Sequence, residues 1–340
     1  MELRVTHTTV RFWTPLRTSY GEVAARDLFA VELDGGGVIG LGEAAPLEAY
    51  DGVPAAAVAQ ALAAYAELLR EFSADVPGHL LLDACRKAVE LPEALAAVDM
   101  ALWDRAGKRS GRPVAALLRE DHLAAVAVNA TLGALDRAGA AAAAARAVAD
   151  GFSCVKVKVG TGDDAGRVAA VRAALGPEVA LRLDANGAWD VETAVRMIGV
   201  LAPAGLELVE EPVHGLAAMR EVRARVATRV SIDETADEPG ALTASVADAV
   251  CLKIGRCGGI SGLLSQAALV RATGADVYVA STMDGPRGIA AGVHAAAALR
   301  VDLACGLATL EHFEGLEEPA ALRVLDGTIR VPTGPGLGVA

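Results

Sequence analysis

The sequence predicts an α/β protein, an eight-stranded β/α barrel preceded by a smaller α+β domain. Three observations carry this. From about residue 124 short apolar runs alternate with helical patterns, the grammar of a parallel βαβ series. The runs number eight and begin roughly every 20 to 30 residues, the count of a closed barrel. The 340 residues accommodate a barrel of about 200 to 250 residues with one further small domain.

The elements follow in order. Leu3–Trp13 alternates like a strand, Leu28–Leu33 is a short apolar run, and Asp34-Gly35-Gly36-Gly37 marks a turn before Val38–Gly42, so the chain opens on a three-stranded meander. Thr14–Arg26, with Pro, Gly and mixed polar residues, reads as a loop. Val53–Phe72 and Leu91–Lys108 carry apolar residues at helical spacing, with Pro54 and Pro92 where a first turn tolerates proline. The first domain then spans residues 1–122 and the barrel 123–313. The barrel strands expected are Val126–Thr131, Cys154–Val159, Ala180–Leu183, Leu206–Val209, Arg229–Ile232, Ala249–Ile254, Val277–Ala280 and Asp302–Leu307. An open doubly wound sheet is the alternative, but no Gly-x-Gly-x-x-Gly turn follows the first strand. The tail, about 314–340, holds one more short strand, Thr328–Val331, and is expected to return to the first domain.

Composition narrows the function. Hydrophobic residues make up 53% and aromatics only 4%, so the core is built mainly of Ala, Val and Leu. A formal charge of -12 argues against nucleic acid or an anionic membrane as partner, since both need basic patches. It leaves room for an anionic substrate, because a bound cation can dominate the local field. Five widely spaced cysteines read as thiols of a cytoplasmic protein. The N-terminus shows no secretory pattern, and the apolar tract Gly139–Ala149 is too short to span a bilayer.

The charged residues of the barrel segment fall in register. Lys156 and Lys158 share one face of VKVKVG by period-two alternation. Asp184 ends LRLD, Glu210 ends LELVE, Asp233 ends VSID, and Lys253 lies in VCLKIG. Five successive strands thus deliver an ionisable group near the C-terminal end, where barrel enzymes build their sites. Charges in apolar strands require partners or a metal. A structural ion-pair cluster plugging the barrel is the bland alternative. Three carboxylates form a hard oxygen set suited to Mg²⁺, with Mn²⁺ also possible. Zinc is disfavoured, since His214 and His294 lie at different levels and Cys251 and Cys257 have no partner pair nearby. A lysine beside such a cation and a second lysine should have its pKa depressed into the range of a general base.

These residues resemble the enolase superfamily and, within it, the muconate-lactonizing-enzyme subgroup. The resemblance rests on Lys-x-Lys in VKVKVG, LDANGAW, VEEPV, SIDET, the lysine and Gly-Gly of LKIGRCGG, the opening GLGEAAP and the closing PTGPGLGV. It implies a TIM-like (β/α)7β barrel under an N-terminal α+β capping domain, commonly in a homo-oligomer. It also implies metal ligands at Asp184, Glu210 and Asp233, with acid/base lysines at Lys158 and Lys253. Lys156 would assist by neutralising a substrate carboxylate. Asn186 and Glu234 would line the site, whereas Glu211 falls at a variable position and is not counted as a ligand. The chemistry implied is abstraction of a proton α to a carboxylate through an enediolate, with Thr14–Arg26 and Pro46–Gly52 closing over a small carboxylate substrate.

Within the subgroup, PLRTSYG resembles the lid loop of enzymes with o-succinylbenzoate synthase or N-acylamino acid racemase activity, and LACGLAT resembles o-succinylbenzoate synthases, whose reaction is the first expectation. Muconate cycloisomerisation and racemisation or epimerisation of N-acylamino acids or dipeptides stay open. Asp302-Leu303-Ala304 retains only half of the Asp-x-Asp expected of a dipeptide epimerase, which counts against a dipeptide. Asp284 in STMDGPRG has three open readings: catalytic support, substrate contact or loop structure. Arg17 and Tyr20 either bind a distal carboxylate or solvate a loop. Trp13, Trp103 and Trp189 read as packing.

Overall fold

The computed structural model describes residues 1–18 and 21–339. It begins with an antiparallel sheet ordered β1-β2-β3, from Glu2–Thr18, Gly21–Gly35 and Val38–Ala44. The expected loop at Thr14–Arg26 is corrected here: Leu16–Thr18 pair with Gly21–Val23, and the two strands continue through most of that stretch. Pro15 is compatible with this because β1 is an edge strand and its register shifts between Arg11 and Leu16, where a ladder bond is already lost.

Helices α1 (Glu48–Asp51), α2 (Ala55–Leu69), α3 (Gly78–Ala88), α4 (Pro92–Ser110) and α5 (Val114–Leu118) follow. Helix α4 is buried on nearly every side because it lies between the cap sheet and the barrel. Gly40 and Gly42 permit that approach: a Cβ at either would stand 1.9 Å from the Ala101 or Ala97 carbonyl oxygen. Phe29, Val31, Leu33, Leu62, Tyr65 and Val98 anchor the cap's own core.

The barrel sheet is ordered β11-β10-β9-β8-β7-β6-β5. Its strands are β5 (Ala130–Leu132), β6 (Cys154–Lys158), β7 (Ala180–Asp184), β8 (Leu206–Glu210), β9 (Val230–Ile232), β10 (Ala249–Lys253) and β11 (Asp276–Ala280), and every pairing is parallel. Helices α6 (Arg137–Ala149), α7 (Asp164–Leu175), α8 (Val191–Leu201), α9 (Leu216–Arg225), α10 (Ile260–Ala272) and α11 (Pro286–Leu299) connect them, with only short 3₁₀ turns between β9 and β10.

Two expected strands take a different form. Val126–Thr131 splits into β4 (Ala125–Ala127) and β5, because β4 pairs antiparallel with the tail strand β13 (Thr328–Arg330), itself paired to β12 (Val324–Leu325). Asp302–Leu307 is not a strand but a pair of parallel bridges, Val128 to Cys305 and Ala280 to Gly306. Backbone bonds from Asn129 N to Cys305 O and from Ser281 N to Gly306 O, 3.0 and 2.9 Å, join it to both sides and close the ring. Arg182, wholly buried inside the barrel, donates to Ala304 O at 2.6 Å and holds the segment from within.

The tail bonds to both parts of the molecule. Beyond β13 it meets Arg112 and Val114 through Gly336, and Leu337 N donates to Asp104 Oδ1 at 2.7 Å.

Candidate active site

Period-two alternation sends Val155 and Val157 outward to the helices and Lys156 and Lys158 into the barrel. Parallel register then sets Lys158 level with Asp184, and Asp184 level with Glu210. Asp233 follows directly on β9, and Lys253 is the last residue of β10. In a ring closed by the Cys305–Gly306 segment, β6 and β10 stand four positions apart among eight, so Lys158 and Lys253 face one another across the mouth.

The contacts are dense. Lys158 Nζ donates to Asp184 Oδ2 and Asn186 Oδ1, each at 2.6 Å. Lys156 Nζ lies 3.0 Å from Asp184 Oδ2 and 3.1 Å from Glu210 Oε1. Lys253 Nζ donates to Asp233 Oδ2 at 2.6 Å and also to the Tyr50 hydroxyl. Asn186 bridges two groups, since its Nδ2 reaches Glu234 Oε1 at 3.0 Å. Tyr278 donates to Glu210 Oε2 at 2.8 Å from beneath.

Electrostatics follow from burial. Burial would push the Lys156 ammonium down, but Asp184 and Glu210 hold it above the ordinary lysine range. Lys253 behaves likewise through Asp233. The carboxylates facing these two lysines outweigh burial; the expected depression is that of a lysine beside a bound cation, whose charge would oppose theirs. Burial also opposes ionisation of Asp184, yet Lys156 and Lys158 hold it well below the usual carboxylate range. Burial raises Glu210, with Asp184 and Asp233 adding to the effect, and it raises Glu234 to about 7 with help from Asp233.

Five carboxyl groups, those of Asp184, Glu210, Glu211, Asp233 and Glu234, thus meet three ammonium groups in one pocket. The formal excess of two negative charges and the oxygen-rich donor set suit a divalent cation. The ligand atoms of Glu210 and Asp233 lie within 4.8 Å of one another and of Cys251 Sγ. Asp184 joins through the ammonium it shares with Glu210 rather than as a third member of that group.

Four groups have a larger part here than sequence reasoning gave them. Cys251 does have partners, because alternation from Lys253 turns it inward. His214 also belongs here: its Nδ1 lies 3.0 Å from Glu211 Oε1, and Glu211, His214 and Glu234 form a second set within 4.8 Å. Glu211, though absent from the expected ligands, is fully buried and accepts from Asp233 N at 2.8 Å and Thr235 N at 3.0 Å, which fixes the loop that carries Asp233. Tyr50 comes from Pro46–Gly52, a stretch expected to close over the site, but nothing in the sequence singles out the residue itself; its hydroxyl reaches Asp233 and Lys253.

Asp284 lies apart from these contacts. It is buried, its N–H donates to Ser281 Oγ at 2.7 Å, and its charge faces Arg26 and Glu43 at the start of α11. Tyr20 and the side chain of Arg17 lie outside the described residues. Trp103 packs between the two parts and donates to Ser261 Oγ at 2.9 Å, Trp189 is buried, and Trp13 is exposed.

A parallel barrel with ion-paired lysines and carboxylates at the C-terminal ends of its strands, under a cap that reaches into the same pocket, is an enzyme architecture. Comparison gives the family. Residues 139–340 match the enolase C-terminal domain-like model, and residues 1–119 the mandelate racemase / muconate lactonizing enzyme N-terminal domain. The chain belongs to this family of the enolase superfamily and is an enzyme of its muconate-lactonizing subgroup.

Its relatives carry different activities. An o-succinylbenzoate synthase of Thermobifida fusca is 41% identical over 206 residues, covering 57% of this chain and 63% of its own length. Muconate cycloisomerase 1 of Rhodococcus opacus is 34% identical over 266 residues, 72% of this chain and 69% of that one. The L-Ala-D/L-Glu epimerase of Bacillus subtilis is 30% identical over 364 aligned residues, 97% of this chain and 93% of that one. A dipeptide epimerase from Enterococcus faecalis, solved with Mg and L-Leu-L-Tyr, superposes with a TM-score of 0.93 at 27% identity, covering 100% of this chain and 99% of that one.

Proposed function

We propose that this enzyme abstracts a proton α to the carboxylate of a small substrate, with Lys158 and Lys253 as acid/base groups on opposite faces. Residues 1–122, joined by the tail from about 314, serve as cap to a catalytic barrel of 123–313. The observation that most supports this is the opposition of two lysines across one buried carboxylate cluster. A structural plug would need ion pairs but no such opposition.

Asp184, Glu210 and Asp233 are the residues to hold Mg²⁺, or Mn²⁺. When bound, that ion supplies positive charge to the substrate carboxylate and offsets the negative charge that holds Lys156 and Lys253 protonated. Lys156, between Asp184 and Glu210, is placed to neutralise a substrate oxygen. Asn186 holds Lys158 toward Glu234, which fixes the ammonium's direction.

For the substrate, dehydration of the o-succinylbenzoate synthase kind is the first reading, favoured by the 41% identity to enzymes of that name. Lys158 takes the α-proton and hydroxide leaves the neighbouring carbon. The second reading is racemisation or epimerisation, favoured by the presence of two opposed bases and by the nearly full-length match to the epimerase. In that case one lysine removes the proton and the other returns one to the opposite face.

A Mg²⁺-supplemented screen of succinylated cyclohexene acids, N-acylamino acids, dipeptides and muconates in D₂O tests this. Racemisation places deuterium on the α-carbon, whereas dehydration removes the proton without replacement. Failure to turn over or exchange any α-carboxylate proton, with Mg²⁺ bound, would sink the reading.

A further inference from the structure

We propose that Tyr50 is a positioning residue, a phenol supplied by the cap that sets the direction of Lys253 and Asp233; the inference rests on the reading of Lys253 as an acid/base group. Tyr50 sits in α1, and its two partners lie 183 and 203 residues away in sequence. Its hydroxyl donates to Asp233 Oδ1 at 2.9 Å and accepts from Lys253 Nζ. The same ammonium stands 4.1 Å from the centre of the Tyr50 ring, and the Arg256 guanidinium stands 5.0 Å from it. One side chain therefore meets Lys253 with both its oxygen and its π face.

The segment that carries Tyr50 is clipped at both ends. Asp51 accepts from Leu47 N at 2.7 Å and Val53 N at 2.8 Å, closing the turn around α1. Buried Arg26 donates to the carbonyls of Ala45 and Pro46 just ahead of it. Arg256, which follows Lys253 by three residues and pairs with Asp237, also lies against the ring.

A lysine ammonium on four methylenes has little intrinsic direction. Asp233 alone would let Lys253 Nζ swing about one oxygen, while the phenol and its ring fix a second point. A tyrosine serving only as packing could be phenylalanine at no cost, and would not bury its hydroxyl among charges. Misplacement of a catalytic group by an ångström can cost on the order of 100-fold in rate.

The chain has five lysines, so ¹³C-lysine labelling gives a readable spectrum. In wild-type enzyme the Lys253 methylene next to Nζ, assigned by Lys253→Arg, is expected upfield through the Tyr50 ring current. The shift should persist in Tyr50→Phe at a changed position and vanish in Tyr50→Leu. Proton exchange in D₂O is then read with the L and D forms of an N-succinyl amino acid. Tyr50→Phe is expected to slow exchange of the enantiomer served by Lys253 on the order of 10- to 100-fold, with a clearly smaller effect on the one served by Lys158. Equal loss for both enantiomers, or no loss for either, overturns the proposal, as does a Lys253 signal indifferent to both substitutions. If wild type exchanges neither enantiomer, it is the activity reading for these acids that has failed. The proposal then stands only if the Lys253 signal moves in Tyr50→Phe and loses its upfield shift in Tyr50→Leu.

Discussion

Lys158 and Lys253 are held by different company, and the difference separates the two reactions open to this site. Lys158 has Asp184 and Asn186, and its side chain is 30% exposed; Lys253 has Asp233 and Tyr50, and is 8% exposed. Lys158→Ala is expected to lower turnover by about 10²- to 10⁴-fold while Mn²⁺ affinity changes by no more than a few-fold. Mn²⁺ titration followed by electron paramagnetic resonance, beside steady-state rates, checks both halves. Lys253→Ala then discriminates. An enzyme that only dehydrates keeps measurable turnover, because one lysine removes the proton, whereas a racemase loses interconversion in both directions. Unchanged turnover in Lys158→Ala removes the base assignment altogether. At this scale the alternation of VKVKVG and the carboxylates closing LRLD, LELVE and VSID were legible, since each depends only on residues within its own strand. The contacts of Tyr50, His214 and Cys251 were not, because each joins elements far apart in sequence: the cap with β10, the loop after β8 with that after β9, and β10 with the ends of β8 and β9.

Elements were legible where their pattern is long and local, and obscure where partners decide their form. The strands β6 to β11 lie close to their expected places, since each is an apolar run bounded by turn residues. The segment 302–307 fails as a strand because only two of its residues find bridges, although those suffice to close the ring. Helix α10 shows how the two parts of the molecule dock. Its first-turn Ser261 donates through N and Oγ to Asp99 of α4, at 3.0 and 2.6 Å, so the cap supplies the cap residue for a barrel helix. Gly259 is required just before it: its φ is +101°, and a Cβ there would stand 2.5 Å from Asp99 Oδ2. Asp99→Ala removes the acceptor of two part-buried donors and is expected to cost about 1–3 kcal/mol. Urea unfolding at pH 7 measures this as a lower midpoint with an unchanged slope. A loss within error would mean that water replaces the carboxylate and that docking does not depend on it.

Across the whole molecule, one histidine ties three distant parts together and makes that junction sensitive to acid. His294, wholly buried in α11, accepts from Ala115 N through Nδ1 at 3.1 Å, and its Nε2 lies 3.1 Å from the Leu337 carbonyl oxygen. Those partners demand one neutral tautomer, with the proton on Nε2. The barrel, α5 and the tail are thereby joined through one ring. Burial drives its pKa down from 6.5 to about 4. Between those values the unfolded chain binds a proton that the native protein refuses, so the contribution is intact above about pH 6.5 and is lost as pH falls toward 4. At pH 5 the loss is about 2 kcal/mol relative to neutral pH. Buried carboxyls act in the opposite sense. Burial raises Glu43 and Glu234 to about 7 and Asp99 to about 6, so each favours the native state increasingly as pH falls through its range. The slope of the wild-type protein alone is therefore a sum of opposed effects, and only a difference isolates the histidine. His294→Gln retains a donor and an acceptor but cannot titrate. Its stability relative to wild type, from urea unfolding at pH 7 and pH 5, is expected to improve by about 2 kcal/mol on acidification. A difference that does not change with pH would mean that His294 protonates in the native state as readily as in the unfolded chain, and that the junction has room for its second proton.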